Sequence, residues 1–165
     1  MKRFVQNGFT LIELVMVVVL MGVLAAYVAP RFTGTALSER GLHDETMAYL
    51  RFAHKTAIAQ RRTVCVAFTS SSLTLTMAAS AGATNCASAA ALTGPKGDSP
   101  VVVNAKSSVT YSGTPTSFAF DGLGQPINTS TGAAITAQAS LPAIAVNGLT
   151  GKAITVEVGT GYVHD

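Results

Sequence analysis

The feature that most constrains this chain is an apolar stretch over residues 9–29, interrupted by a single carboxylate, Glu13. A helix rises about 1.5 Å per residue, so these 21 residues would span about 31 Å. That length matches the roughly 30 Å hydrocarbon core of a bilayer. A charged side chain in such a segment costs about 2.5–3.5 kcal/mol on insertion scales. Glu13 is therefore expected to have a partner or a function.

The spacing around Glu13 indicates what that partner could be. Phe9 lies four residues before Glu13, which is one helical turn, and Gly8 precedes Phe9. If the chain were cut after Gly8, Phe9 would carry a free α-amine that its own Glu13, or the Glu13 of a neighbouring subunit, could pair with. In the uncut chain the same nitrogen belongs to a neutral peptide bond. Cleavage would thus create the cation that Glu13 lacks.

Two other classes of segment fit parts of this stretch. A secretory signal has a basic start, which Lys2 and Arg3 provide, and an apolar core of about 7–15 residues before an A-x-A-like cut site. Here the uncharged run over residues 14–29 is slightly long, and no clear A-x-A follows it. A plain membrane anchor would explain the length of the stretch but not Glu13.

The residues GFTLIELVMVVVLMGVLAAYVAPRF resemble the N-terminus of type IV prepilins and of the pseudopilins of type II secretion. The resemblance implies that Gly8 ends a leader peptide and that Phe9 begins the mature chain, exposed and N-methylated by prepilin peptidase. It implies that Glu13 pairs with the amino terminus of a neighbouring subunit during assembly. It also makes Pro30 a helix-kinking proline, which agrees with the loss of a backbone donor at proline.

The orientation of the chain follows from its first basic residues. Lys2 and Arg3 keep the N-terminus cytoplasmic by the positive-inside rule, so everything after residue 29 faces the other side. For a bacterial prepilin-like protein this means a single pass of the inner membrane with a periplasmic head, followed by transfer into a pilus or pseudopilus filament. The implied partners are other pilin or pseudopilin subunits, prepilin peptidase and an inner-membrane assembly platform.

The rest of the chain changes from helical to strand-like periodicity. A helical pattern over residues 35–62 places Leu42, Tyr49, Leu50, Ala53 and Ala57 near one face. Residues 63–165 then show short alternating runs typical of an antiparallel sheet. We expect an α+β pilin fold, with a long kinked N-terminal helix packed on a sheet. The expected divisions are a leader (1–8), a transmembrane and assembly helix (9–29), a periplasmic half of the helix (30–62) and a β-rich head (63–165).

The strand candidates in the head are short. They cover residues 63–68, 73–77, 101–103, 109–111, 118–120, 135–139, 143–146, 153–158 and 162–164. Residues 78–100, rich in alanine, serine and glycine, show no clear period and are expected to form a long loop. Asp121 and Gly122 are expected to form a turn.

Cys65 and Cys86 are the only cysteines. The periplasm permits disulfides, and the even count favours a bridge between them, although two free thiols would also fit the sequence. A bridge would close about 20 intervening residues and stabilise the fold by roughly 3 kcal/mol. The spacing does not match a metal motif.

The head offers no constellation that indicates catalysis. His43, His54 and His164 are scattered and are expected at the surface or at edges, and the acids do not cluster as a calcium loop requires. No P-loop, GxSxG or HExxH motif occurs. We therefore expect no enzymatic activity, no cofactor and no metal. The net charge of +3 includes Lys2 and Arg3, so the head is close to neutral and no nucleic-acid partner is expected.

Two further segments refine the resemblance. AYLRFAHKTAIAQRRTVCVAF and ITVEVGTGYVHD resemble minor pilins of the general secretion protein H and FimT group, and SFAFDGLGQP and TGYVH add similarity to the mannose-sensitive haemagglutinin (MSHA) type. Major pilins place their disulfide near the C-terminus and major pseudopilins have a C-terminal calcium loop. This chain has neither feature, which favours a minor subunit.

Three functions are therefore compared. The leading one is a structural subunit of a type IV pilus or a type II secretion pseudopilus. The second is a FimT-like minor pilin for DNA uptake, but the matching tail GTGYVHD lacks the arginines of that group. The third is a tip adhesin acting through the loop at residues 78–100, whose residues specify no ligand.

Overall fold

A computed structural model describes residues 9–28, 34–106, 108–141 and 143–165. They form two compact units, one ending at Leu37 and the other comprising Ser38–Asp165. The predicted leader with its cut site at Gly8, and the predicted kink at Pro30, lie outside the described residues.

The first helix, α1, runs from Leu11 to Val28 and contains 18 residues, none of them buried. At about 1.5 Å per residue it is about 27 Å long. By length and composition it could cross a membrane. The apolar stretch predicts a helix that begins at residue 9, whereas α1 begins two residues later.

The second helix, α2, runs from Thr35 to Gln60 and presents one face to a core. All five residues of the predicted stripe are buried, and Thr46 and Met47 are buried beside them. The helix ends in a Schellman motif: the Arg61 N–H donates to Ile58 O (3.3 Å) and the Arg62 N–H donates to Ala57 O (3.1 Å). The predicted helix end at residue 62 is thus two residues too far.

The larger sheet is antiparallel and has β1 near its centre. Its strands are β1 (Val64–Phe68), β2 (Ser72–Ala78), β3 (Ala89–Ala91), β4 (Val101–Asn104), β5 (Phe118–Phe120) and β6 (Pro126–Ile127). They pair in the order β3-β2-β1-β5-β6, and β4 pairs with β2 alongside β3. The alternation that predicts β1 and β2 is explained by their register, in which Val66 faces Leu75 and Phe68 faces Leu73.

A smaller antiparallel sheet forms the end of the chain. It consists of β7 (Ile144–Ala145), β8 (Ala153–Val156) and β9 (Val163–His164) in that order. The strands predicted at residues 143–146, 153–158 and 162–164 are therefore confirmed, and they pair as two successive hairpins. In the strand predicted at residues 109–111, Tyr111 forms an isolated antiparallel bridge with Val146.

Two predictions for segments of the head are wrong. The predicted loop at residues 78–100 contains β3, because its alanines extend along the end of β2, with Met77 opposite Ala90. The residues of the predicted strand at 135–139 do not form a strand: 135–137 are irregular, and a 3-10 turn, Gln138–Ser140, follows them. The Gln138 side-chain amide donates to Leu141 O (3.2 Å) and Val156 O (3.0 Å), so it satisfies carbonyls that a further strand would otherwise pair with.

Helix α2 packs against both sheets, which confirms the α+β pilin fold. The Thr46 and Tyr111 hydroxyls are hydrogen-bonded at 2.8 Å. Arg51 Nε donates to Val163 O at 3.1 Å, next to the smaller sheet. Apolar side chains of α2 and of both sheets form one continuous core.

His43 is not the surface or edge residue that the sequence predicts, because only 1% of it is exposed. The two sheets together cover more of the α2 surface than the predicted apolar stripe. His43, which follows Leu42 in the sequence, is therefore buried as well. Its Nδ1 lies 3.0 Å from Asp44 Oδ1, and its Nε2 is buried without a partner in the described residues. His54 and His164 are partly exposed.

A side-chain pair spans the turn between β8 and β9. Glu157 Oε1 lies 3.0 Å from His164 Nε2, and this hydrogen bond raises the pKa of His164 above its ordinary value. Because the pKa is raised in the folded state, the stabilisation is fully present below about pH 6.5, the ordinary histidine value, and is lost as the pH rises through the raised pKa.

We expect Glu157→Gln to lower the pKa of His164 towards its ordinary value, since the hydrogen bond to a carboxylate is its largest cause. A pH titration of the His164 ring protons by NMR measures this directly. The parent protein, titrated under the same conditions, is the control. An unchanged His164 titration in the variant would contradict the assignment.

Candidate assembly site

The start of α1 is set by Thr10, which caps the helix. Thr10 Oγ1 accepts a hydrogen bond from the Glu13 N–H at 3.3 Å, and Thr10 O accepts one from the Leu14 N–H at 3.2 Å. Thr10 and Glu13 thus match the T-x-x-E pattern of a capping box, of which the half that joins Thr10 Oγ1 to the Glu13 N–H is formed. Glu13 also lies in the first helical turn, where a negative charge interacts favourably with the helix dipole.

Phe9 precedes this cap and is therefore not part of the helix. It is 80% exposed. The spacing predicts that Phe9 lies one helical turn from Glu13, but the helix begins only at Leu11. In the uncut chain the Phe9 nitrogen is a peptide nitrogen. Within the described ranges the Glu13 carboxylate makes no hydrogen bond or ion pair, so it is open to a cation from elsewhere.

The surroundings of Glu13 are apolar on every side of α1. The side chains of the helix are exposed all round, so they can be covered only by lipid or by other helices. A carboxylate among such side chains is suited to pairing with a cation and to fixing the position of a neighbour. It has no neighbouring group in the described part of α1 with which to perform acid–base or nucleophilic chemistry.

The contribution of Thr10 was missed in the sequence analysis, although the T-x-x-E pattern could have revealed it. We expect Thr10→Val to weaken the first turn of α1 by about 1 kcal/mol, because the cap hydrogen bond is lost. Hydrogen exchange of the Glu13 amide in detergent micelles measures this as faster exchange. The amide of Leu24, in the middle of the same helix, is the control and should exchange at the parent rate; equal Glu13 rates in parent and variant would contradict the capping role.

The disulfide joins Cys65 and Cys86. Cys65 lies in β1, and Cys86 lies in the loop before β3. The Cys86 N–H also donates to Thr129 O at 3.0 Å. The loop is therefore tied both to the central strand and to the segment after β6.

Metal-ligating side chains are dispersed in this structure. Across the described ranges, no group of three or more His, Cys, Asp and Glu side chains is placed to hold a metal ion. Asp121, expected in a turn, is in one: its Oδ1 accepts hydrogen bonds from the N–H groups of Leu123 (2.9 Å) and Gln125 (2.8 Å).

Comparison with known proteins identifies the N-terminal segment. Residues 3–29 match the prokaryotic N-terminal methylation motif. No curated protein and no solved structure matches the chain. The matched residues include the Gly8–Phe9 junction, the Thr10 cap and Glu13. The chain therefore carries a type IV prepilin-like methylation motif, which supports processing by prepilin peptidase and assembly with other pilins.

Proposed function

We propose that this protein is a minor pilin or pseudopilin, a structural subunit of a type IV pilus or of a type II secretion pseudopilus. Prepilin peptidase would cut it between Gly8 and Phe9 and N-methylate Phe9. The observation that carries the proposal is the methylation motif at residues 3–29, followed by a fully exposed apolar helix with one open carboxylate. The disulfide lies early in the head, which supports a minor rather than a major subunit. The finer proposal, a subunit of the general secretion protein H and FimT group, of MSHA type, rests on the resemblance of residues 48–68, 117–126 and 154–165 alone.

Cleavage would convert the start of α1 into a pairing site. The Phe9 nitrogen would become a cation just outside the capped first turn, and Glu13 would offer a carboxylate inside it. In a filament the apolar helices lie side by side in a medium of low dielectric, where an unpaired charge is strongly penalised. Pairing of Glu13 with the Phe9 amine of a neighbour would select one axial stagger between subunits.

The proposed divisions of the chain follow from the same mechanism. Residues 1–8 are the leader, and residues 9–29 anchor the subunit in the inner membrane before assembly. Residues 30–62, with a kink at Pro30, lead to the head at residues 63–165. Lys2 and Arg3 support a cytoplasmic leader and hence a periplasmic head.

The experiment is co-expression of the full chain with prepilin peptidase, followed by intact-mass and N-terminal peptide analysis. We expect a mature chain that begins at Phe9 and carries one added methyl group. Gly8→Val is the matched control and should remain full-length. The proposal is wrong if the parent chain stays uncut while a reference prepilin is processed, or if the cut falls after the apolar stretch, as for a secretory signal.

A further inference from the structure

A cleft of about 640 Å³ opens at the C-terminal end of α2, and the proposed assembly mechanism does not use it. Its lining comes from four segments that are distant in sequence: the end of α2 at Ile58 and Arg61, the loop at Ala83, the turn at Leu123 and the loop at Gly132. We call it the Arg61 cleft. Its volume lies within the range of about 300–1,000 Å³ that is usual for ligand sites.

Close backbone contacts hold the walls of the Arg61 cleft in place. A Cβ on Gly132 would lie 2.2 Å from Thr84 O, and one on Gly122 would lie 2.9 Å from the Arg61 carbonyl carbon. The Thr63 hydroxyl donates to Ala83 O at 2.5 Å. The loop that contains Ala83 is tied to β1 through Cys86. The cleft is therefore built into the fold.

Arg61 occupies a backbone position that favours glycine. Its φ is 48°, in the left-handed region, at the residue where a Schellman motif usually has glycine. A side chain there costs about 1 kcal/mol. Arg62, the next residue, donates to Ala78 O at the end of β2, so its guanidinium is already engaged by the protein. The strained position places Arg61 at the wall of the cleft, which indicates a role for its side chain.

The chemistry of the cleft combines one unpaired cation with exposed apolar surface. Arg61 is exposed and forms no ion pair with any acid in the described residues. Beside it, Leu123 is 79% exposed and Ile58 is 44% exposed. Asp121 also lines the cleft, but its Oδ1 is engaged by the turn. A carboxylate next to an apolar side chain would complement this surface.

A second copy of the chain has few carboxylates to offer. In Ser38–Asp165, Glu45 pairs with Lys96 (2.9 Å), Asp165 with Lys152 (3.2 Å) and Glu157 with His164 (3.0 Å). Asp44 lies 3.0 Å from His43 Nδ1, and its side chain is 78% exposed. Of the others, Asp121 holds its turn and Asp98 has a buried oxygen. Glu39 packs closely against Gly148. Most carboxylates of a second copy are thus engaged, which favours a different protein as the source of the carboxylate.

We propose that the Arg61 cleft binds a peptide segment of a different subunit, one that presents a carboxylate beside an apolar side chain. The identification of that partner as a filament subunit rests on the proposed function. Arg61 would pair with the carboxylate, and Ile58 and Leu123 would cover the apolar side chain. The cleft would thus give the head a contact that is specific for one partner. The proposed pairing through α1 would not depend on the head of the neighbouring subunit.

The experiment is an NMR titration of the ¹⁵N-labelled full chain in detergent micelles. The probe is the peptide N-acetyl-Leu-Glu-Leu-amide, and its matched control has Gln in place of Glu. We expect saturable shifts of the Gly122, Leu123 and Gly132 amides with the Glu peptide. Binding of the Gln peptide should be at least about tenfold weaker, equivalent to about 1.4 kcal/mol.

Three variants of Arg61 separate binding from folding. Arg61→Gly should abolish the shifts without lowering the melting temperature, because glycine relieves the left-handed backbone. Arg61→Gln, which keeps a side chain at that backbone position, should lose the preference for the Glu peptide. Arg61→Lys should retain part of it.

Several outcomes would overturn the proposal. These are equal binding of the two peptides, undiminished binding by both Arg61→Gly and Arg61→Gln, or concentration-dependent shifts at the cleft without peptide, which would make a second copy the occupant. If these tests fail while Phe9 is found methylated, only the cleft proposal falls. If the Glu peptide binds but the chain is not processed, the assignment of the partner as a filament subunit falls.

Discussion

Glu13→Gln should insert into the membrane as the parent does and should be lost from assembled filaments. Glutamine serves in a capping box nearly as well as glutamate, so α1 should still begin at Leu11. What disappears is the charge. The Phe9 amine of the neighbour would then be buried without a counter-ion, which costs about 3–5 kcal/mol. That free energy corresponds to a loss of incorporation of more than about a hundredfold.

Fractionation of cells into membrane and sheared filaments, with detection of the subunit in each, measures this effect. Thr10→Val is the matched control, because it removes the cap hydrogen bond and keeps the carboxylate. We expect Thr10→Val to be incorporated at nearly the parent level. Normal incorporation of Glu13→Gln would show that the charge of Glu13 is not needed for assembly and would refute the pairing mechanism.

The double substitution Cys65→Ser, Cys86→Ser should produce the largest loss of stability. Removing the cross-link releases a loop whose cysteines are 21 residues apart in sequence, which costs about 3 kcal/mol. For a head of this size we expect the melting temperature to fall by about 10 °C. Thermal unfolding of the full chain in micelles, followed by near-UV circular dichroism, measures the shift.

Reduction of the parent protein provides the control for this substitution. It should lower the melting temperature by a similar amount, whereas reductant should leave the double variant unchanged. A shift below about 2 °C in the variant would mean that the Cys86 N–H contact with Thr129 O and the surrounding packing hold the loop without the bond.

The elements that could be predicted from sequence are those whose signals are local. The apolar stripe of α2 was predictable because helical residues three or four apart share a face. The β1–β2 hairpin and the hairpins around β8 were predictable because alternation and turn residues lie next to each other in the chain. The capping box at Thr10 was equally local and was missed only because the apolar stretch was taken as helical from its first residue.

The elements that could not be predicted depend on partners far away in the chain. Strand β3 exists because Ala89–Ala91 lie along the end of β2, not because alanines favour extended structure. His43 is buried because two sheets cover α2, and neither sheet contributes a signal near residue 43. Intrinsic preferences were overridden in both cases by tertiary packing.

The sequence by itself determined where the proposed assembly end of this protein lies. The apolar stretch, Glu13 within it and the Gly8–Phe9 junction all lie within 29 residues, because the proposed membrane span and processing site are linear features of the chain. Only the tertiary structure decided the Arg61 cleft. Its walls come from the end of α2 and from loops at residues 82–84, 121–123 and 132, and strand pairing and one disulfide bring these segments together. A surface assembled from such distant segments has no pattern in the linear chain, so its unpaired arginine could be recognised only after folding.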